Sequence, residues 1–241
     1  MYDPATYWEK RLSQNFNFRG VGHQSYNLAY NRWLYRRKHR VLAQLFTNIE
    51  LRGKTVLDVG CGTGFFLDWY NSRGALVDGV DISTTAVGKL HARYPEAFLA
   101  RLDFSQPDID LPRQYDIVNA WDVIYHQTDE GSFQTFLTNS AAACKTGGLF
   151  IGTDCFHLPR SAFAAEHVRF RNRSDYAEVM RDLHFELSDE YPLYRFLNRP
   201  AGNRWLRRIQ NVLAPLWYGL DQLQTTPARD NLSVSVWIKK T

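Results

Sequence analysis

From Thr55 onward the chain alternates short apolar runs with amphipathic stretches, the pattern of a parallel sheet covered by helices. Thr55–Val59 reads as a first buried strand and Gly64–Arg73 as the helix after it, with Gly74 in the C-cap position. Leu76–Asp81 reads as a second strand, and Ser83 as the N-cap of a helix that Pro95 stops. Ala97–Phe104 and Tyr115–Ala120 follow as strands three and four, separated by a polar loop containing proline. Asp129–Cys144 predicts a helix, Gly147-Gly148 a turn, and Leu149–Asp154 the fifth strand. A helix over Ser174–Leu183 precedes a sixth strand, Phe185–Tyr191. Asn231–Lys239 alternates as a last strand, with Leu232, Val234, Val236 and Ile238 on one face.

Two parts lie outside that core. Residues 1–50 read as a helical cap with a basic stretch, Arg32–Arg40, and a glycine-marked break at Gly20-Val21-Gly22-His23. Residues 196–230 read as a helical insertion in which Trp205, Leu206, Ile209, Val212, Leu213, Leu216, Trp217, Leu220 and Leu223 keep helical spacing, kinked at Pro215. The expectation is therefore one domain over 1–241, with the core formed by 51–195 and 231–241. A helix packed on the core or a lid over a pocket is the first reading of the insertion. A homodimer contact and a membrane-surface helix are the others.

Composition narrows the function. Apolar residues are 44% and charged residues 22% of the 241, ordinary for a folded protein. Seven Trp, 13 Tyr and 15 Phe exceed the needs of a core this size, which points to an aromatic pocket wall. A net charge of +4 suits an anionic substrate but is too small to imply nucleic acid. Cys61, Cys144 and Cys155 show no C-x-x-C spacing, so neither a disulfide framework nor a metal site is expected. With no signal-peptide pattern and no apolar run of about 18 residues, the expected location is cytoplasmic, without a transmembrane segment.

The sharpest chemical signal is Asp58-x-Gly60-x-Gly62-x-Gly64, placed after a β-branched strand and before a helix. Glycines there allow close backbone approach to a nucleoside cofactor and turn dihedrals that other residues resist. A dinucleotide fingerprint would carry its third glycine at 65, where the residue is Phe65. Asp58 at the loop entrance suits a cofactor with a cationic amino group, and the spacing favours S-adenosylmethionine (SAM). Asp81 ends strand two, where a carboxylate can accept from both ribose hydroxyls. Asp103 and Phe104 end strand three, where they can meet the adenine amine and ring. Each aspartate alone also reads as a solvated strand end or a helix cap; three at consecutive strand ends do not.

Thr55–Gly64, with Gly79-Val80-Asp81-Ile82-Ser83 and Asp116-Ile117-Val118, resembles the class I SAM-dependent methyltransferases of the small-molecule group, over about residues 50–155. The resemblance implies a Rossmann-like α/β fold: a seven-stranded sheet of order 3-2-1-4-5-7-6, the seventh strand antiparallel, with helices on both faces. It implies Gly60, Cys61, Gly62 and Gly64 against the cofactor, Asp81 and Ile82 at the ribose, and Asp103 with Phe104 at adenine. Ala120 and Trp121 would meet the methionine end. Tyr7-Trp8-x-x-Arg11 resembles the capping helix of some members, in which an arginine holds the cofactor carboxylate. The product would be S-adenosylhomocysteine.

SAM carries an activated methyl group, so the enzyme's remaining tasks are in-line positioning and removal of a proton from the acceptor. His126, just beyond strand four, is the first candidate base because imidazole titrates near neutrality. Asp122 and Tyr125 come next, then His23, Asp154 and His157; each also reads as a packed or surface group. Strand four ends in Asn119-Ala120-Trp121-Asp122, without the Pro-Pro-aromatic signature of amino-directed nucleic-acid enzymes. The basic clusters Arg36-Arg37-Lys38, Arg169/Arg171/Arg173 and Arg204/Arg207/Arg208 read as solvated helix faces, while phosphate contacts keep an RNA methyltransferase as a rival. The second rival is a SAM-binding module without chemistry. The expected activity is methyl transfer to an oxygen, or a nitrogen, of a small molecule such as a secondary metabolite or sugar intermediate. The N-terminal segment and the insertion are expected to wall the acceptor pocket.

Overall fold

Buried β-branched and apolar runs build the strands of the computed structural model, which describes residues 2–227 and 229–241. In chain order these are β1 (Thr55–Val59), β2 (Leu76–Asp81), β3 (Leu99–Arg101), β4 (Tyr115–Ala120), β5 (Cys144–Asp154), β6 (Ala162–Ala165), β7 (Val168–Phe170), β8 (Phe185–Pro192) and β9 (Ser233–Lys239). Seven of them form one sheet in the order β3-β2-β1-β4-β5-β9-β8, with β9 antiparallel to both neighbours. With the separate β6–β7 hairpin set aside, this is the order expected for a Rossmann-like methyltransferase sheet.

The helices are α1 (Pro4–Gln14), α2 (Phe18–Val21), α3 (Leu28–Leu45), α4 (Phe65–Asn71), α5 (Thr84–His91), α6 (Glu130–Ala143), α7 (Arg173–Asp182), α8 (Arg204–Val212) and α9 (Ala214–Gln222). Side-chain caps mark many of their starts: Asp3, Asn17, Asn27, Ser83, Asp129, Asn172 and Asn203 each accept a first-turn amide. Two apolar clusters cover the two faces of the sheet. One joins Leu42, Val56, Leu67, Tyr70, Ile117 and Ile151; the other joins Leu57, Val118, Phe133, Leu137, Phe150 and Tyr176. Among the described residues, no helix is long and apolar enough to cross a membrane.

Several boundaries differ from the expectation, each for a local reason. Strand three spans three residues rather than 97–104, because Asp103 turns its carboxylate back to the Ser105 amide (3.0 Å) and hydroxyl (2.6 Å). Gly147-Gly148 is a bulge inside a continuous β5, not a turn before it: Gly147 has φ +75°, and β4 shifts register opposite it. The hairpin β6–β7 went unanticipated, since its two-residue connection Glu166-His167 lacks the Asn-Gly chemistry that signals such turns. The insertion is two helices that meet at Leu213, with Pro215 in the first turn of α9.

The basic clusters are only partly solvated. Arg37 is buried and donates through Nε to the Leu193 carbonyl (2.9 Å) and through its terminal nitrogen to the Pro192 carbonyl (2.8 Å). Arg171 is fully buried and donates to the carbonyls of Gln127 (2.7 Å) and Asp129 (3.1 Å). Lys38 is buried against Asp122. A buried cation needs such acceptors, so these side chains staple the fold and are withdrawn from any phosphate backbone. Leu137, fully buried under β4 and β5, tests the cluster behind the site: Leu137→Ala should cost about 2–5 kcal/mol in urea unfolding.

Candidate active site

Strand order reverses between β1 and β4, and a crevice opens at their C-terminal ends, as expected at a switch point in such a sheet. Its floor is the loop after β1. The amides of Gly60 and Cys61 both donate to the Val80 carbonyl (2.8 and 3.1 Å), and the Gly64 amide donates to the Cys61 carbonyl (2.8 Å). Gly60, Gly62 and Gly64 have φ of +74°, +50° and +82°. A Cβ at Gly60 would lie 2.5 Å from Val123, one at Gly62 2.9 Å from Val21, and one at Gly64 2.6 Å from Leu90. Glycine is therefore required both by the dihedrals and by protein atoms behind the loop. Gly60, Cys61 and Gly62 line the crevice, whereas Gly64 faces α5 and starts α4.

The acidic residues take three different positions. Asp81 stands in the crevice wall, its two oxygens accepting the Gly62 and Ser83 amides (both 2.8 Å). Burial lifts its pKa to about 6 against those donors. Asp103 lines the same wall near Ile82, Leu102 and Phe104, though part of its carboxylate is engaged by Ser105 and Gln106. Asp58 does not line the crevice. It lies beneath the loop, with one oxygen accepting from Asn119 Nδ2 (2.7 Å) and the other without a partner among the described residues. Burial raises its pKa to about 8, with the Asn119 bond acting against that rise.

At the end of β4, Trp121 borders the crevice and Ala120 is buried in the strand behind it. Asp122 follows with φ +60°, held by its ion pair with Lys38 and by its amide donating to the Thr153 hydroxyl (2.7 Å). Burial alone would lower the Lys38 pKa; the neighbouring Asp122 charge reverses this and leaves it above the ordinary lysine value. The N-terminal helices roof the crevice through Trp8, Leu12, Val21 and Tyr35. Glu9 fixes that roof, accepting from the hydroxyls of Ser83 (2.7 Å) and Thr85 (2.5 Å) at the start of α5.

A second chamber, about 1250 Å³ with its mouth, shares Trp8, Val21, Tyr35, Lys38, Asp122 and His126 with the first crevice, which measures about 940 Å³. Tyr7, Tyr125, Phe170 and Tyr194 add aromatic wall, and His23 and His167 add imidazoles. Arg11 and Tyr7 belong to this chamber rather than to the crevice. The Arg11 guanidinium donates to the carbonyls of Gly22 (2.6 Å) and Arg19 (3.2 Å) and lies 4.8 Å over Trp8, tying α1 to α2. The insertion contributes only Asn198, ahead of its helices, and most of the wall expected from it comes from the hairpin: Ala164, Ala165, His167, Val168 and Phe170 line the chamber, and no described residue of α8 or α9 does.

His126 sits on the boundary between the two spaces, in a single 3₁₀ turn, Ile124–His126. Its Nδ1 lies 2.7 Å from the His167 carbonyl, an acceptor only, so Nδ1 carries the proton and Nε2 the lone pair. Burial lowers its pKa to about 4 despite that hydrogen bond, which keeps the ring neutral at physiological pH. Tyr125 keeps its proton, since burial raises its pKa far above the usual phenol value. Asp154 lies apart, accepting from the Tyr176 hydroxyl (2.8 Å), and His157 pairs with Glu190 (2.5 Å). Two residues of the site escaped sequence reasoning. Lys38 shares a stripe of α3 with Leu34, Tyr35, Val41 and Leu42, a spacing that marks it as inward-facing. His167 carries no comparable signal.

Comparison with known proteins agrees with this geometry. A family model described as "Methyltransferase domain" matches residues 30–190. The chain is 38% identical over 103 residues to a ubiquinone biosynthesis O-methyltransferase of Rhodopseudomonas palustris (strain BisB18); the match covers 42% of this chain and 39% of that protein. It thus spans about two fifths of the relative's length. The fold is similar to that of magnesium protoporphyrin IX methyltransferase from Synechocystis PCC 6803, solved with bound SAM (TM-score 0.63, 18% identity, covering 100% of this chain and 99% of that one). It is also similar to Burkholderia thailandensis 1,6-didemethyltoxoflavin-N1-methyltransferase, solved with 1,6-didemethyltoxoflavin and S-adenosylhomocysteine (TM-score 0.61, 17% identity, 100% and 92% covered).

The loop geometry can be tested directly. Gly60→Ala should cost at least about 1–2 kcal/mol through its left-handed backbone alone. Adding Val123→Ala should restore part of that loss, and a double-mutant cycle in urea reads the coupling.

Proposed function

The chain belongs to the methyltransferase-domain family of class I SAM-dependent enzymes, and from that premise we propose that it methylates a hydroxyl oxygen on a small aromatic molecule held in the second chamber. The observation that carries this reading is the unprotonated Nε2 of His126, set where the two spaces meet. The tyrosines, Trp8 and Phe170 around the chamber favour a planar acceptor over a sugar. The partial relative named for ubiquinone biosynthesis supports an O-linked acceptor. Burial of Arg37, Lys38 and Arg171 speaks against the RNA reading.

The residues present suit SAM. Two buried polar atoms on the β1 and β4 side of the crevice, Asp58 Oδ2 and Trp121 Nε1, lack partners among the described residues, and the wall offers the Asp81 carboxylate beside Ile82. In this reading Asp81 with Ile82 holds the ribose, and Asp103 with Phe104 holds adenine. Gly60, Cys61, Gly62 and Trp121 border the amino-acid end, with the Asp58 carboxyl beneath them. When bound, SAM supplies a methyl group already activated on a sulfonium. Tyr7, Trp8 and Arg11 serve the acceptor chamber: the two rings form its wall, and Arg11 locks the roof.

His126 Nε2 is placed to accept the proton of the acceptor hydroxyl; with SAM bound, that oxygen would take the methyl as the sulfonium S–CH3 bond breaks and S-adenosylhomocysteine leaves. Tyr125, still protonated, donates a hydrogen bond that orients the acceptor. Asp122, fixed by Lys38, holds the turn that carries both residues. The aromatic walls keep water from the reacting oxygen.

His126→Asn should lower kcat by about 10²–10⁴ while leaving SAM affinity within about threefold. Because the competent imidazole is the neutral one, activity is present above its pKa and lost as pH falls through it. With SAM saturating, so that the Asp81 carboxyl of pKa about 6 is already engaged, the acidic limb of kcat/KM for the acceptor should therefore lie near pH 4, well below the 6.5 of an ordinary histidine, and should vanish in the variant. An acidic limb near 6.5 that survives the substitution would overturn the assignment. Asp81→Ala should weaken SAM binding about 10- to 100-fold by calorimetry; unchanged affinity would refute the ribose role.

A further inference from the structure

Helix α8 is mounted inside out. Its polar residues Arg207, Gln210 and Asn211 are the half-buried ones. Gln210 donates to the Arg199 carbonyl (2.7 Å) and accepts the Ala201 amide (3.0 Å). Its apolar residues face outward: Trp205 is 64% exposed, Leu206 49% and Val212 77%, with Ile209 between them. The arc continues past the helix through Leu213 and Leu216. A helix on a globular surface normally shows the reverse arrangement, and a contiguous outward apolar stripe marks an interaction site.

The mounting is firm. Buried Asp221 at the end of α9 accepts the amides of Arg195 (3.1 Å), Phe196 (2.8 Å) and Leu197 (3.2 Å). Tyr218 packs on Trp33 of α3, and the Tyr30 hydroxyl donates to the Leu197 carbonyl (2.8 Å). The stripe is therefore presented by a docked element.

Charge identifies the occupant. Arg204 and Arg208, both exposed, flank the stripe, and no Asp or Glu occurs from 204 to 220. Isologous contact with a second copy would set these arginines near one another without an acid of the segment to pair with them. A plane of phosphates offers the complement. Exposed tryptophan, aliphatic side chains and flanking arginines together form the signature of a helix lying in the headgroup region. We propose that α8 docks the protein on the surface of an anionic phospholipid bilayer, with its apolar stripe at the acyl boundary and Arg204 and Arg208 on lipid phosphates. This proposal stands independently of the acceptor reading.

The test is co-sedimentation of the full chain with vesicles of phosphatidylcholine alone or mixed with phosphatidylglycerol. Binding should occur on the mixed vesicles and weaken with added salt. It should fall about fivefold for each of Arg204→Gln and Arg208→Gln, and at least about tenfold for Leu206→Glu with Val212→Glu. Unchanged circular dichroism and S-adenosylhomocysteine affinity in the variants confirm that they fold. Failure to bind mixed vesicles, equal binding by folded variants, or a vesicle-independent dimer abolished by the same substitutions would each overturn the proposal.

Discussion

The carboxylate of Asp81 is the tie on which the site depends. It receives the amide of Gly62 from the first loop and the amide of Ser83 from the second, so one side chain fixes the ends of two adjacent strands. Each accepted amide belongs to backbone that a helix or ladder leaves unsatisfied, and burial makes those bonds costly to lose. The left-handed glycines and the doubly used Val80 carbonyl then follow, because the chain must coil tightly to bring Gly62 to that oxygen. The roof follows too: Glu9 caps the start of α5 directly beyond Ser83, and so the first helix lies over the crevice.

Buried charge is used throughout as a fastener. Arg37, Arg171 and the Lys38–Asp122 pair each join elements far apart in the chain. Such groups add little net stability over apolar packing, but losing one partner strands the other in a low dielectric. They determine where the N-terminal helices and the β7 end of the hairpin sit, and hence the shape of the second chamber. The neutral state of His126 has the same origin: desolvation pushes the proton off, and a carbonyl contributed by the hairpin settles which nitrogen keeps one.

Much of this was legible in the chain. The succession of strands and helices was readable because period-two runs, capping residues and glycines are local signals, and the loop from Asp58 to Gly64 encodes its own backbone; the order of the strands in the sheet came from the family resemblance. What escaped reading was decided by distant atoms or by competing local bonds. Asp103 ended β3 early because its side chain out-competed the ladder. Gly147 looked like a turn because a bulge needs the same dihedral. The charge of Arg37, Lys38 and Arg171 suggests solvent, whereas helical spacing in the first two, and acceptors on neighbouring elements for all three, decide their burial. His167 acquires its place only once β7 folds back over the turn after β4.

The hairpin bearing His167 pairs only with itself and forms no ladder with the main sheet. Its residues can therefore change without disturbing the strand ends that frame the donor crevice. On the proposed function, a lineage built on this scaffold would have one module that reshapes the guest it accepts and another that stays constant for the reagent it consumes. Side chains from Ala162 to Phe170 could then be exchanged to remodel the chamber wall, so long as the backbone still presents the His167 carbonyl to His126.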